Sequence, residues 1–326
     1  MKPFRETQWR HEEGCLWRVA ASSSISAAMQ DGQQHSQPTA TGRAAQGLGF
    51  RKMHGAGNDF VIVDARAGGG AAAALTPAVV RALGDRHRGV GFDQLAELSD
   101  APGADVGVVF WNADGSTSAA CGNATRCIAS LLLAEGRGPS LAIEVAGRGR
   151  LTAHARQDGL IEVDMGSPGL EWRDVPLAEE VDTLALPLPR GPVALSMGNP
   201  HCVHFVDDLE AVDWRAEGQT VEHHPLFPER TNVQFVEVLG PARVRARVWE
   251  RGVGPTLASG SSACAIAVAG HRRGLTGREV AVELEGGVLE ITWRESDGHV
   301  LMAGPVASVF EGWLSPAFLA AAEGGS

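Results

Sequence analysis

Two segments place a small nucleophilic side chain just before glycine at the start of an alanine-rich helix. The first is Asn112-Ala-Asp-Gly-Ser116, followed by Cys121-Gly122-Asn123 and the run Ala124–Ala129. The second is Glu250-Arg251-Gly252-Val253-Gly254, followed by Ser259-Gly260-Ser261 and the run Ser262–Ala267. The first turn of a helix leaves N–H groups unpaired and carries partial positive charge, so it holds carboxylates. The same field lowers the pKa of a Cys placed there. The following Gly lets a ligand approach the backbone. Two facing entrances would grip an α-carboxylate and set one residue on each side of the α-carbon. That suits removal of a proton from one face and return of a proton to the other. Taken singly, each loop has a bland reading: Cys121 as a packing residue, Ser259 as an ordinary helix cap.

Other loops are rich in amides. They are Met53-His-Gly-Ala-Gly-Asn58-Asp-Phe60, Gly89-Val-Gly-Phe-Asp-Gln94, Met197-Gly-Asn199-Pro-His201 and Phe227-Pro-Glu-Arg-Thr-Asn232. Asn and Gln offer donors and acceptors without charge, and the fork of Arg251 suits a carboxylate. Each of these alone also reads as a turn. His201-x-x-His204 has metal-ligand types but no third ligand nearby, so no metal is expected.

The elements that must position these residues are mostly short strands. Phe60–Val63, Val106–Phe110, Leu141–Val145, Leu160–Val163 and Val193–Leu195 carry strand patterns. So do Asn232–Val236, Val244–Trp249, Val280–Leu284 and Leu289–Trp293, the run at 244–249 alternating as a half-buried strand does. Helical patterns cover Thr76–Asp85, with Thr76 as cap and Pro77 in the first turn, and about 122–135 and 260–273. A helix apolar on nearly all sides, such as Cys264–Gly270, must be enclosed. The expected fold is α+β, with two similar halves at 49–165 and 166–315. Each would wrap a curved sheet around one central helix, and the two helix starts would meet at a cleft between the halves. Residues 316–326 read as a tail.

Bulk properties narrow the class. A chain of 326 residues with a net charge of −11 is no natural partner for nucleic acid or an anionic membrane. No apolar run has the length of a membrane span. Cys15, Cys121, Cys127, Cys202 and Cys264 are odd in number and scattered, which fits reduced thiols in the cytoplasm. Residues 1–48 are rich in Ser, Gln, Ala and Gly without periodicity, and read as a disordered tail or a start assigned too far upstream.

With these blocks in view, the chain resembles the diaminopimelate epimerase family across 50–315. "MHGAGNDF", "GVGFDQ", "NADGS…CGN…RC", "GNPH", "FPERTN" and "ERGVG.TLA.G" stand in the family's order. The resemblance implies two halves related by a pseudo-two-fold axis and a cofactor-independent epimerase of lysine and cell-wall precursor synthesis. It implies a small amino-acid substrate, L,L- and meso-2,6-diaminopimelate, and allows a homodimer. Cys121 matches the first of the family's two catalytic cysteines. Asn58, Gln94, Asn112, Asn199, Asn232, Glu250 and Arg251 match substrate-binding positions. Gly122, Asn123, Gly260 and Ser261 match the amides that hold the carboxylate, and His201 and Glu250 match residues that tune the cysteines. Cys127 and Cys264 read as packing residues.

Ser259 departs from the pattern, since the family has its second Cys there. Ionising a hydroxyl instead of a thiol costs on the order of 6–7 kcal/mol more. Two alternatives therefore stand beside the epimerase. One is a one-thiolate dehydratase or isomerase acting on a related amino acid such as a hydroxyproline. The other is an amino-acid-binding protein without chemistry.

Overall fold

The computed structural model describes residues 47–66, 75–118 and 122–324. Residues 1–46 of the expected tail, and Cys121, lie outside them. The first half holds β1 (Leu48–Gly55), β2 (Asn58–Asp64), β3 (Gln94–Ser99), β4 (Val106–Asn112), β5 (Thr117–Ser118), β6 (Ser140–Val145), β7 (Gly149–Ala155) and β8 (Ile161–Asp164). The second holds β9 (Val193–Ser196), β10 (Pro200–Val206), β11 (Asn232–Gly240), β12 (Arg243–Glu250), β13 (Gly254–Thr256), β14 (Glu279–Leu284), β15 (Gly287–Trp293) and β16 (Val300–Gly304). The helices are α1 (Pro77–Gly84), α2 (Gly122–Ala134), α3 (Trp214–Glu222), α4 (Gly260–Arg272) and α5 (Pro316–Gly324).

The pairing repeats strand for strand. In the first half β1–β2 is antiparallel, β2–β3 parallel, β3–β4 antiparallel, β4–β6 parallel, and β6–β7–β8 antiparallel. In the second, β9–β10, β10–β11, β11–β12, β12–β14 and β14–β15–β16 follow the same sequence of directions. Parallel neighbours need a crossover. Here α1 and α3 cross between the first parallel pair of each half, and α2 and α4 between the second. The expected pair of similar α+β halves is the observed architecture.

α2 packs against β1, β2, β6, β7 and β8, while α4 packs against β9, β10, β11, β14, β15 and β16. Every residue of α4 from Ser262 to Gly270 is buried, as its apolar sequence requires. Burying one Ile or Leu side chain contributes about 1.5–3 kcal/mol, so Ile266, Ile128 and Leu132 anchor the helices in a continuous core. α1 starts where expected, with Thr76 Oγ1 accepting from Val79 N at 3.3 Å.

The halves join where β8 runs antiparallel to β16, placing Val163 opposite Met302. Two features differ from expectation. A further strand, β17 (Ala307–Leu314), belongs by sequence to the second half but returns to pair with β1 of the first. The stretch expected as a tail forms α5, because Phe318 and Leu319 find an apolar bed with Val80, Leu83 and Leu314.

Candidate active site

A cleft of about 960 Å³ opens between the halves, and both helix entrances line it: Gly122 and Asn123 from α2; Ser259, Gly260 and Ser261 from α4. Their closeness is fixed by one side chain of the seam. The Met302 methyl stands 2.7 Å from where a Cβ on Gly122 would be and 3.1 Å from where one on Gly260 would be. The two helix starts are therefore separated by no more than the width of a side chain. A Cβ at Gly260 would also sit 3.2 Å from Asn123 Oδ1, so glycine is needed for the approach.

Ser259 is the residue before α4, 6% exposed. Its carbonyl accepts from Ala263 N at 3.0 Å and opens the helix. Its hydroxyl makes no capping bond, although Ser at this place ordinarily does. The hydroxyl is thus left for the cleft.

Amides wall the cleft, and most are already held. In the first half Asn58 Nδ2 donates to Asp93 Oδ2 at 2.6 Å, and Asn58 Oδ1 accepts from Asn123 Nδ2 at 3.2 Å. Asn123 Oδ1 in turn accepts from Arg126 Nη1 at 2.8 Å. Gln94 Nε2 donates to Asn112 Oδ1 at 3.1 Å, and Asn112 Nδ2 to Ser116 Oγ at 3.0 Å. In the second half Asn199 Nδ2 donates to Ser261 Oγ at 3.4 Å. Asn232 is committed to the backbone: its Nδ2 donates to Pro200 O at 2.8 Å and its Oδ1 accepts from Arg251 N at 3.0 Å. Asn232 therefore shapes the wall and fixes Arg251 as much as it faces the cavity.

His201 does not line the cleft. It is wholly buried, because β10 lies between β9 and β11 with both faces covered. Its Nε2 donates to Asn199 Oδ1 at 3.0 Å, and its Nδ1 accepts from Gln234 Nε2 at 3.0 Å. The same Gln234 amide donates to Ser262 Oγ at 3.0 Å. That pattern describes a neutral imidazole. Burial, with the Arg251 charge second, pushes its pKa down to about 3. His201 therefore stands behind Asn199, held between it and Gln234, rather than in the cleft wall.

The charges are unequal between the walls. Burial pushes Asp59 up, but hydrogen bonds and charge from Arg86 and Lys52 outweigh it and hold it at about 2. Arg86 grips Asp59 through two bonds of 3.0 and 2.8 Å and reaches Asp93 at 2.7 Å. The Glu250 carboxyl, on the opposite wall, makes no hydrogen bond or ion pair among the described residues; its backbone carbonyl accepts from Val253 N at 3.0 Å. Burial first, then the Asp93 charge, lifts its pKa to about 7. It is present in both protonation states near neutral pH.

Asn58, Gln94, Asn112, Gly122, Asn123, Asn199, Asn232, Glu250, Arg251, Ser259, Gly260 and Ser261 all line this one cleft. Cys121 directly precedes Gly122 but falls outside the described residues. Cys127 and Cys264 are buried in the core, and desolvation pushes both thiols up to about 12. Sequence reasoning missed Arg86, Asp93, Met165 and Met302. Asp93 lay inside the quoted Gly89–Gln94 block, while the methionines sit at apolar positions that signal only core.

The family model of diaminopimelate epimerase matches residues 50–171 and 193–309. A diaminopimelate epimerase of Acidiphilium cryptum is 53% identical over 275 residues, covering 83% of this chain and 98% of that protein. One of Rhodospirillum centenum is 51% identical over 276 residues, covering 83% and 93%. Among solved structures, a phenazine biosynthesis protein of the PhzF family from Bacillus anthracis superposes with a TM-score of 0.58 at 16% identity, covering 81% of this chain and 97% of that one. A hydroxyproline epimerase from Agrobacterium vitis superposes with a TM-score of 0.58 at 15% identity, covering 83% and 93%. These structural likenesses speak for the fold, and the sequence matches for membership: the chain belongs to the diaminopimelate epimerase family.

Proposed function

We propose that the chain interconverts L,L- and meso-2,6-diaminopimelate without a cofactor, in the cytoplasm. The observation that carries this reading is the meeting of two helix entrances, one from each half, around Met302. The carboxylate of the reacting end lies on the amides of Gly122, Asn123, Gly260 and Ser261, where unpaired N–H groups and helix dipoles stabilise the charge that develops on proton removal. Asn58, Gln94, Asn112, Asn199, Asn232 and Arg251 orient the rest of the molecule.

Cys121 works on one face of the α-carbon as a thiolate. It takes the proton, and the C–H electrons move into the carboxylate as an enediolate. On the other face the Ser259 hydroxyl gives its proton to carbon while receiving one from the Glu250 carboxyl. The alkoxide is thereby avoided, which a bare hydroxyl could not achieve at neutral pH. A carboxyl with a pKa near 7 is suited to that exchange in both directions.

Turnover of L,L-diaminopimelate in D₂O tests this directly. Deuterium should enter the meso product, and Cys121→Ala should abolish both inversion and exchange. Deuterium washing into L,L substrate without inversion would point to a one-thiolate enzyme. Saturable binding with no exchange would leave only a binding protein.

A further inference from the structure

Glu222 is a buried carboxylate that the proposed chemistry does not use. It is 3% exposed and ends α3. A negative charge at a helix C-terminus opposes the helix dipole, and burial adds to the strain, so its partners must compensate. They do so with charge-assisted bonds. Glu222 Oε2 accepts from Trp249 Nε1 at 2.6 Å, and Oε1 accepts from Gly252 N at 2.8 Å. Arg230 Nη1 stands 3.7 Å from Oε1. The two residues held, Trp249 and Gly252, flank Glu250 and Arg251.

The helix also grips the Trp249 ring. A Cβ on Gly218 would stand 2.8 Å from Trp249 Cβ and 2.9 Å from Cγ, so α3 can lie on the indole only with glycine there. Trp111 occupies the equivalent place in the first half, one residue before Asn112. Its Nε1 donates to Glu97 Oε2 at 3.0 Å, from the neighbouring strand β3. Among the described residues Glu97 holds only that ring. Glu222 alone couples the ring to a backbone amide of the following turn.

We propose that Glu222 is a positioning residue for the epimerase site, fixing the turn that carries Glu250 and Arg251 into the cleft. It acts through Trp249 and Gly252 and touches no substrate. The inference rests on the epimerase reading for its assay. Glu222→Gln keeps the size but turns one of the two oxygens into an NH2 donor facing either Trp249 Nε1–H or Gly252 N–H, so one of those two bonds is lost. The turn should shift while the core of the half stays intact.

The expected result is a fall in kcat/KM of about tenfold or more, since misplacement of a positioned group by an ångström has effects of that order. Both kcat and KM should change, because the same turn carries Glu250, which passes the proton, and Arg251, which meets the substrate. Trp249→Phe keeps the ring and leaves Gly252 held by Glu222, and should lose less. Adding Trp249→Phe to Glu222→Gln should recover part of the loss, since the single oxygen then serves Gly252. Unchanged kcat/KM in Glu222→Gln, or a fall matched by the loss of folded protein in circular dichroism, would overturn the proposal. If the wild-type protein itself leaves diaminopimelate unconverted, the functional reading is at fault. Glu222 is then judged by calorimetric binding of L,L-diaminopimelate to the same variants, with equal affinities sinking it.

Discussion

Replacing Ser259 with Cys should raise the epimerisation rate roughly a hundredfold. A hydroxyl is harder to ionise than a thiol by on the order of 6–7 kcal/mol. The proton from Glu250 lags behind the one leaving Ser259, so part of that charge stays on oxygen at the transition state and about half of the difference, ~3 kcal/mol, reaches the barrier. At about 1.36 kcal/mol per factor of ten, this is roughly two orders of magnitude. The structure permits the exchange. The hydroxyl makes no capping bond that sulfur would forfeit, and the larger atom faces a cleft of about 960 Å³. The start of α4 also favours a thiolate. Initial rates with L,L-diaminopimelate, followed by deuterium uptake into the meso product, measure the gain. Ser259→Ala is the companion variant. An ordinary capping Ser replaced by Ala costs about 0.5–2 kcal/mol, but here stability should hardly change while turnover collapses. Equal rates for Ser, Cys and Ala at this position would refute the reasoning, because the proton would then bypass position 259.

Two further variants probe the same geometry. Glu250 has its folded pKa raised to about 7 from an ordinary value of 4.5, chiefly by burial. The folded state therefore keeps a proton that the unfolded chain loses between those values. The carboxyl favours folding below pH 4.5, and that contribution disappears as pH rises through 7. Glu250→Gln should thus be more stable than wild type by about 1–3 kcal/mol at pH 8 and no more stable at pH 4, while losing turnover; urea midpoints showing the same gap at both pH values would contradict this. Gly260→Ala drives a Cβ to 2.8 Å from Met302 Sδ and 3.2 Å from Asn123 Oδ1. Overpacking of this kind costs about 1–3 kcal/mol, and it parts the two helix starts, so kcat/KM should fall further than the modest drop in Tm suggests. An active Gly260→Ala enzyme would mean the tips need not approach so closely.

The parts of the fold legible in the sequence are those where one rule dominates. In β12 the alternation of buried Val244, Ala246 and Val248 with Arg245 and Arg247 identifies a strand with one covered face. α4 is apolar all round and is enclosed. The parts that were hidden depend on partners far along the chain. β1 carries Lys52, a charge that argues against a buried position until Asp59 and the Gly91 carbonyl are seen to receive it at 8% exposure. α3 starts at Asp213, whose Oδ1 accepts from Ala216 N at 3.2 Å, yet its Gly218 argues against a helix until Trp249 is found lying on it. The cleft-lining amides were readable because each sits beside a turn. His201 was not, since residue type cannot distinguish a His that faces a cavity from one on a strand covered on both sides.

The repeat of the fold carries a second consequence. Phe60 stands opposite Gln94, and His201 opposite Asn232; Gln94 then faces Asn112, while Val233 faces Trp249, one step from Asn232 and Glu250. Asn112 and Glu250 are therefore counterparts, as are Asn58 and Asn199, and Gly122 and Gly260. Where the scaffold touches the reacting carbon it is nearly symmetric, which suits a reaction whose two directions use the same intermediate. Away from that carbon the symmetry is broken. Asn112-Ala113 is neutral, whereas Glu250-Arg251 brings both charges to one wall. Diaminopimelate has chemically identical ends, so equal walls would hold it equally well in two opposed directions. The counterpart positions thus differ in charge, which makes one direction preferred, and Glu250-Arg251 lies on the turn tied down by Glu222.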